Sequence, residues 1–175
     1  MIVELRKISL EDSENLVKWR NNPRVRVNLF SQDELTVDQH INYYHKYVET
    51  GLVCQFVIVA DGVDCGTSFL KNIDNVSKKA EFGIFIGEDS FRGKGIGKIA
   101  TRKTVEFGFE TLKLDLIYLS VFENNYAALN SYKRAGFRVL RTIEKEYSRE
   151  NVGLNVVEMG LSAKEFECIK KGEGL

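Results

Sequence analysis

The chain has 175 residues, of which 43% are hydrophobic and 29% charged, a balance typical of a folded domain rather than a disordered segment. Its 25 basic residues match its 25 acidic residues, so no overall charge attracts nucleic acid or an anionic membrane. No apolar run reaches the length of a membrane span, and the charged N-terminal stretch is unlike a signal peptide. We therefore expect one domain, residues 1–175, with no nucleic-acid or membrane partner.

Cysteines and histidines give no sign of a metal site. Cys54, Cys65 and Cys168 are odd in number and lack paired C-x-x-C spacing, which predicts reduced thiols in a cytoplasmic protein. His40 and His45 lie five residues apart, a poor spacing for ligands of one metal ion, so we expect them on the surface or in an acceptor groove.

Two helices are predicted after an N-terminal strand. Alternating apolar residues predict a strand over residues 2–8, and Ser9 offers a cap for the first helix. That helix should end near Pro23, because the residue before a proline avoids helical angles. Thr36 predicts the start of the second helix, which should end at Gly51.

The rest of the chain predicts strands and helices in a mixed sheet. Short stretches rich in Val, Ile and Phe, separated by turn residues, predict antiparallel strands over residues 54–60, 66–73 and 80–86. After Gly97 the apolar period changes to that of an amphipathic helix. We expect the remaining elements to be a strand (114–122), a short helix (about 125–135), two strands (about 137–147 and 152–161) and a C-terminal helix. The order β-α-α-β-β-β-α-β-α-β-β indicates a mixed sheet with helices packed on it.

A glycine-rich loop between a strand and a helix is the most informative segment. Glycines at alternate positions let backbone amides turn toward an anion at a helix N-terminus, and three basic side chains surround them. The expected pyrophosphate site consists of Arg92, Gly93, Lys94, Gly95, Ile96, Gly97 and Lys98. Its spacing fits neither a Walker loop nor a dinucleotide fingerprint. The alternative is a glycine-rich turn with solvated charges.

Two motifs resemble those of the GNAT acetyltransferases. Arg92-Gly-Lys-Gly-Ile-Gly97 resembles the Arg/Gln-x-x-Gly-x-Gly/Ala signature. Asn125-Tyr-Ala-Ala128, Tyr132 and Gly136-Phe137 resemble the helix pattern N-x-x-A-x-x-x-Y-x-x-x-GF. The resemblance implies an α/β (mixed α+β) acyl-CoA N-acyltransferase fold. Its central, mostly antiparallel twisted sheet is flanked by helices and splayed between strands four and five.

The resemblance also implies acetyl-CoA as co-substrate and assigns roles to individual residues. In the family, the pantetheine arm hydrogen-bonds to the exposed backbone of the fourth strand, here Ile84, Phe85 and Ile86. Tyr132 would protonate the departing thiolate, unless it only packs in its helix. Asn125 would cap that helix and, in the family, lie close to the cofactor.

The mechanism implied is direct attack by an amine on the thioester. Glu81 matches a position where several family members place a catalytic glutamate, and it could equally anchor the substrate. No metal is expected.

The acceptor is expected to be a small molecule or an N-terminal amine. The segment from Leu16 to Arg26 is similar to the family branch that acetylates UDP-linked 4-amino-dideoxy sugars, and to ribosomal-protein N-terminal acetyltransferases, with spermidine acetyltransferases nearby. Arg20, Arg24 and Arg26 would suit the anionic sugar nucleotide, which is the acceptor we expect, although each could be a solvated surface residue. The alternatives are a protein N-terminus, a polyamine, or a CoA-binding module without catalysis. A homodimer is common among similar enzymes.

Overall fold

A computed structural model describes residues 1–149 and 152–172, and its centre is one twisted sheet. Within that part of the chain the sheet has seven strands, in the order β1-β2-β3-β4-β5-β7-β6. The strands are β1 (Val3–Lys7), β2 (Cys54–Ala60), β3 (Val63–Asp74), β4 (Lys79–Ile86), β5 (Leu116–Phe122), β6 (Arg138–Arg149) and β7 (Val152–Ser162). Every neighbouring pair is antiparallel except β4 with β5. The predicted mixed, mostly antiparallel sheet is confirmed.

Helices cover both faces of this sheet. They are α1 (Ser13–Asn21), α2 (Pro23–Arg26), α3 (Val37–Tyr43), α4 (Ile96–Glu110), α5 (Tyr126–Arg134) and α6 (Ala163–Gly172), and one π-helical stretch (Tyr44–Val48) extends α3. The capping of α3 by Thr36 is confirmed, since its hydroxyl accepts from the Gln39 amide at 3.2 Å. None of the helices in the described ranges is long and apolar enough to cross a membrane.

The chain after Pro23 departs from the prediction. The proline ends α1 as expected, yet it also occupies the first turn of α2, where its missing N–H costs nothing. The side chain of Asn22 caps this short helix by accepting from the amide of Arg24 at 3.0 Å.

Two apolar layers follow from the alternation of side chains along each strand. On one face, Trp19 of α1 is buried with Leu16 and with Val57 of β2. On the other face, α4, α5 and α6 pack through Val105, Tyr132 and Phe166, among other residues, against β4, β5 and β7. Successive strand residues point to opposite faces, so β4 contributes to both layers.

The sheet opens between β4 and β5. The two parallel strands pair only at Lys79 with Leu116, Ala80 with Ile117 and Glu81 with Tyr118. Beyond Glu81, β4 continues to Ile86 beside β3, whereas β5 continues beside β7. The predicted splay between strands four and five is therefore confirmed, and it leaves one edge of β4 without a neighbouring strand.

Candidate active site

The free edge of β4 presents backbone groups to the gap. Gly87 donates its amide to the carbonyl of Cys65 on β3 at 2.9 Å. In an antiparallel pair every second residue turns its backbone to the same neighbour, so Phe85 also faces β3, opposite Thr67. Ile84 and Ile86 turn their amides and carbonyls the other way, into the gap. Two of the three residues predicted for backbone contacts therefore face it, and Phe85 does not.

The gap ends beside the N-terminus of α4. The side chains of Ile84 and Ile86 pack in one cluster with Ile96 and Ala100 of that helix. A ligand lying along the edge of β4 would thus reach the glycine-rich loop, which leads into α4.

The loop itself leaves its backbone amides open. Gly93 and Gly95 adopt left-handed angles, with φ of 73° and 79°, which glycine reaches without strain. In the described part of the chain, the amides of residues 93–97 donate to no protein acceptor, whereas the next amide, of Lys98, bonds to the carbonyl of Gly95 at 3.1 Å. Five adjacent N–H groups at a helix N-terminus form an anion site.

Gly97 keeps the N-terminus of α4 uncrowded. Its backbone lies outside the left-handed region, and a Cβ built on it would meet no atom of the described residues within 4 Å outside its own helix. The small residue at this position, glycine or alanine in the family signature, therefore leaves room for a ligand beside the helix N-terminus.

Basic side chains surround the loop. Arg92 Nε lies 3.0 Å from Asp89 Oδ1, and its Nη2 is buried without a hydrogen-bond partner among the described residues. A buried donor in this state costs about 1–3 kcal/mol, so an acceptor from a ligand would relieve it. Lys98 continues the basic surface into a groove of about 520 Å³, which is also lined by Lys103. A pyrophosphate fits this donor set.

Tyr132 lies on the α4 and α5 side of β4. It is 9% exposed, and its ring lies 6.1 Å from that of Phe82 and 6.0 Å from that of Phe137. Burial raises the pKa of the phenol to about 12, so the hydroxyl stays protonated at neutral pH. This geometry is compatible with both roles considered for Tyr132, that of proton donor and that of a packing residue. Asn125 caps α5 as predicted, with Oδ1 accepting from the Ala128 amide at 3.2 Å.

Glu81 lies on the other face of β4. Phe82, the next residue, points to Tyr132, and alternation directs Glu81 away from it, toward the side of α1 and α3. Lys71 Nζ lies 3.2 Å from Oε1, and Asn72 Nδ2 donates to Oε2 at 2.8 Å. The side chain of Glu81 is 18% exposed, so the carboxylate remains open to a ligand from solvent.

Two tyrosines lie near enough to Glu81 for its charge to affect them, and sequence reasoning missed both. Tyr118 is the cross-strand neighbour of Glu81. Burial, and then the Glu81 charge, raise the pKa of Tyr118. Burial, followed by the charges of Tyr47 and Glu81, raises the pKa of Tyr43, whose ring lies 5.0 Å from that of Tyr47. The spacing of four residues between Tyr43 and Tyr47 could have indicated that the two rings lie side by side on one helical face. We call Glu81, Tyr43, Tyr47 and Tyr118 the acceptor cluster.

The three arginines expected to hold a sugar nucleotide bond to the protein itself. Arg20 donates to two backbone carbonyls of the loop after α2, at 2.6 and 3.1 Å. Arg26 donates to the carboxylate of Glu34 at 2.6 Å. Arg24 Nη1 lies 3.6 Å from Asp89 Oδ2. An incoming diphosphate would have to compete with these contacts.

The histidines differ in their surroundings. His45 is on the surface, where it contacts Glu49 at 2.9 Å, as expected. His40 is 2% exposed and its two ring nitrogens have no partner in the described ranges, so it does not lie on the surface; a place in an acceptor groove stays a prediction. Its helix turns this side chain inward, toward α1. Across residues 1–149 and 152–172, no group of three or more His, Cys, Asp or Glu could hold a metal ion.

Comparison with known proteins agrees with this geometry. The family of the Acetyltransferase (GNAT) domain matches residues 3–138. Spermidine N(1)-acetyltransferase of Escherichia coli K12 is 27% identical over 98% of this chain and 92% of its own. Acetyltransferase PseH of Campylobacter jejuni strain 81-176 is 25% identical over 76% of this chain and 81% of its own. The crystal structure of spermidine N-acetyltransferase from Vibrio cholerae, with CoA and spermine, superposes with a TM-score of 0.88 at 23% identity, covering 94% of this chain and 98% of that one. That likeness shows a shared fold.

Proposed function

The chain belongs to the GNAT acetyltransferase family, and we propose that the amine it acetylates is a polyamine such as spermidine. The protein is an acetyl-CoA-dependent N-acetyltransferase. The observation that carries the choice of acceptor is the acceptor cluster, a partly open carboxylate that pairs across the sheet with Tyr118, together with the contacting rings of Tyr43 and Tyr47. A similarity to spermidine N(1)-acetyltransferase that spans 98% of the chain agrees with it.

The chemistry of the cluster suits an alkylammonium chain. A carboxylate forms charge-assisted hydrogen bonds with an ammonium, and tyrosine faces attract cations with about 0.5–1 kcal/mol at partly exposed sites. The carboxylate of Glu81 lies 3.2 Å from the Lys71 ammonium, with which an incoming ammonium would have to compete. Each carboxylate oxygen has a second lone pair that such an ammonium can use.

The sugar nucleotide expected from the sequence finds less support. It needs free cations for its diphosphate, and Arg20, Arg24 and Arg26 contact carbonyls and carboxylates of the chain. The loop that follows them also carries the carboxylate of Asp33, which favours a cationic acceptor over an anionic one.

The two faces of β4 separate the acceptor from the leaving group. Glu81 lies on the face of α3, and Tyr132 lies on the face of α5. The gap beyond Glu81 joins the two faces, so a thioester along the edge of β4 would meet the amine from one side and Tyr132 from the other. This arrangement permits direct transfer of the acetyl group from the thioester to the amine.

We assign the chain's own groups as follows. The loop amides and Arg92 bind the pyrophosphate of acetyl-CoA, and the backbone of Ile84 and Ile86 holds its pantetheine arm. Glu81 takes one proton of the acceptor ammonium, and the free amine adds to the thioester carbonyl to form the C–N bond. The C–S bond then breaks, the second proton lost by the amide nitrogen restores the phenol that protonates the thiolate, and Glu81 releases its proton to solvent. Tyr132 gives its proton to the thiolate, whose ordinary pKa is about 8.5. Because the phenol is the weaker acid, this transfer depends on its position.

The cysteines are unsuited to a covalent relay. Burial, followed by the charges of Asp64 and Glu88, raises the pKa of Cys65 to about 11. Burial likewise raises the pKa of Cys54. A thiolate is the reactive form, so neither residue is an activated nucleophile. Direct attack by the amine remains the mechanism that the side chains support.

The test is a comparison of acceptors by release of CoA thiol. We expect kcat/KM for spermidine to exceed that for a UDP-linked 4-amino sugar, and for a peptide with a free N-terminus, by at least about tenfold. A higher value for either competitor would contradict the polyamine assignment. Binding of acetyl-CoA without thiol release with any amine would identify a non-catalytic module.

Glu81→Gln tests the acceptor cluster itself. Removing the carboxylate charge should lower kcat/KM for spermidine at least about tenfold and leave the Kd of acetyl-CoA unchanged, with the exposed Glu11→Gln as matched control. The loss should be largest below the pKa of the amine and smaller above it. An equal loss at every pH would assign Glu81 to substrate anchoring instead of proton transfer.

Assembly is a separate proposal. Val139 and Leu140 of β6 are 50% and 57% exposed, an apolar edge that a second copy would cover. We expect at least a homodimer, which light scattering of the purified protein would detect. A monomer at micromolar concentration would contradict it.

A further inference from the structure

A bulge in β3 lies directly opposite the acceptor cluster. Lys71 pairs with Glu81, but the next pair is Asp74 with Lys79, so β3 carries one extra residue at this point. Asn72, within the bulge, has a φ of 51°. Of the non-glycine residues with positive φ in the described ranges, Asn72 alone lies within a strand, since Asp61, Lys78 and Lys113 lie in turns.

The bulge changes the direction of one side chain. In a regular strand, consecutive residues point to opposite faces. Here Lys71 and Asn72 are consecutive, yet both reach the carboxylate of Glu81, one at each oxygen. The left-handed angle of Asn72 turns its side chain back to the face of Lys71, which is how a bulge redirects a residue.

The amide of Asn72 fixes one oxygen of the Glu81 carboxylate. Its Nδ2 donates to Oε2 at 2.8 Å, while Lys71 Nζ lies 3.2 Å from Oε1. Two consecutive residues of β3 thus contact both oxygens of the carboxylate in the acceptor cluster.

We propose that Asn72 is the positioning residue of the acceptor site: the β3 bulge aims its amide so that the Glu81 carboxylate stays oriented toward the incoming ammonium. Backbone in a sparsely populated conformation persists where the surrounding structure enforces it, and it is common at functional sites. The role rests on the proposed function of Glu81 as the group that receives the acceptor.

The test is a double-mutant cycle with Asn72→Gly and Glu81→Gln. Glycine keeps the left-handed backbone and removes only the amide, so the fold is retained. We expect Asn72→Gly to lower kcat/KM for the acceptor about tenfold, mainly through KM, with KM for acetyl-CoA unchanged. In the Glu81→Gln background the same substitution should cost less than twofold, because Asn72 acts through Glu81. Lys113→Gly, at another positive φ, is the matched control and should leave activity unchanged.

The outcomes distinguish a failure of the polyamine assignment from a failure of the positioning role of Asn72. The cycle is measured on spermidine and on a peptide with a free N-terminus. Acetylation of the peptide alone contradicts the polyamine acceptor, and the cycle on that peptide still tests Asn72. The positioning role would be overturned if the losses of kcat/KM in the two single variants multiplied in the double variant, measured with whichever amine is acetylated. An equal loss with Lys113→Gly would overturn it as well.

Discussion

Gly97→Glu should change stability and ligand binding in opposite directions. A Cβ at this position meets no atom within 4 Å in the described part of the protein outside its own helix, and the backbone is not left-handed, so the Cβ introduces no clash. Replacing a helical glycine should raise the free energy of unfolding by about 0.5–1 kcal/mol, and a carboxylate suits the first turn of a helix. The same carboxylate would repel a phosphate at the open N-terminus of α4, a loss comparable to one hydrogen bond to a charged group, about 1.5–3 kcal/mol. Alanine, which the family signature also contains at this position, should leave the Kd of acetyl-CoA unchanged.

The expected loss corresponds to an increase of about 10- to 100-fold in the Kd of acetyl-CoA. Denaturant unfolding without ligand measures the gain in stability, and calorimetric titration measures the loss of affinity. Gly97→Ala is the matched control, because alanine adds a Cβ at the same position without a charge. Unchanged affinity in Gly97→Glu would refute the assignment of the loop as the phosphate site.

Three further predictions concern single side chains. Tyr132→Phe removes the proton donor and should lower kcat at least about 100-fold with unchanged Kd for acetyl-CoA; unchanged kcat would remove Tyr132 from the mechanism. Burial lowers the pKa of His40 below 6.5, opposed by the charge of Asp12, so the unfolded chain binds a proton that the folded chain refuses. The free energy of unfolding should therefore fall as the pH drops from about 6.5 toward the lower pKa that His40 has in the folded protein. His40→Leu should reduce this dependence on pH, measured by denaturant titration. The same dependence in the variant would show that other groups cause it. Asn125→Ala removes the cap of α5 and should cost about 1 kcal/mol in the same assay, with no loss if solvent replaces the cap.

Local signals in the sequence predicted most of the fold. Glycine and apolar spacing located the loop before α4, and the Thr36 cap located the start of α3, because each depends on a few neighbouring residues. Pro23 shows the limit of such signals. It was interpreted only as a stop, although Asn22 before it is a good cap and proline suits a first helical turn.

The acceptor cluster depended on contacts that no local pattern reveals. Tyr43, Glu81 and Tyr118 are far apart in sequence and meet only because β4 pairs with β5 at one end. The bulge at Asn72 shifts the register by one residue, which alternation cannot predict. His40 lies in a helix that the sequence predicts, but the sequence does not indicate that this helix buries the face that carries His40.

The central claim is transfer of an acetyl group from acetyl-CoA to a polyamine. The most direct measurement incubates the purified protein with acetyl-CoA and spermidine and quantifies both products, CoA thiol by a chromogenic reagent and acetylated spermidine by mass spectrometry. The account predicts equal amounts of the two. Thiol release without acetylated spermidine, or neither product, would contradict it.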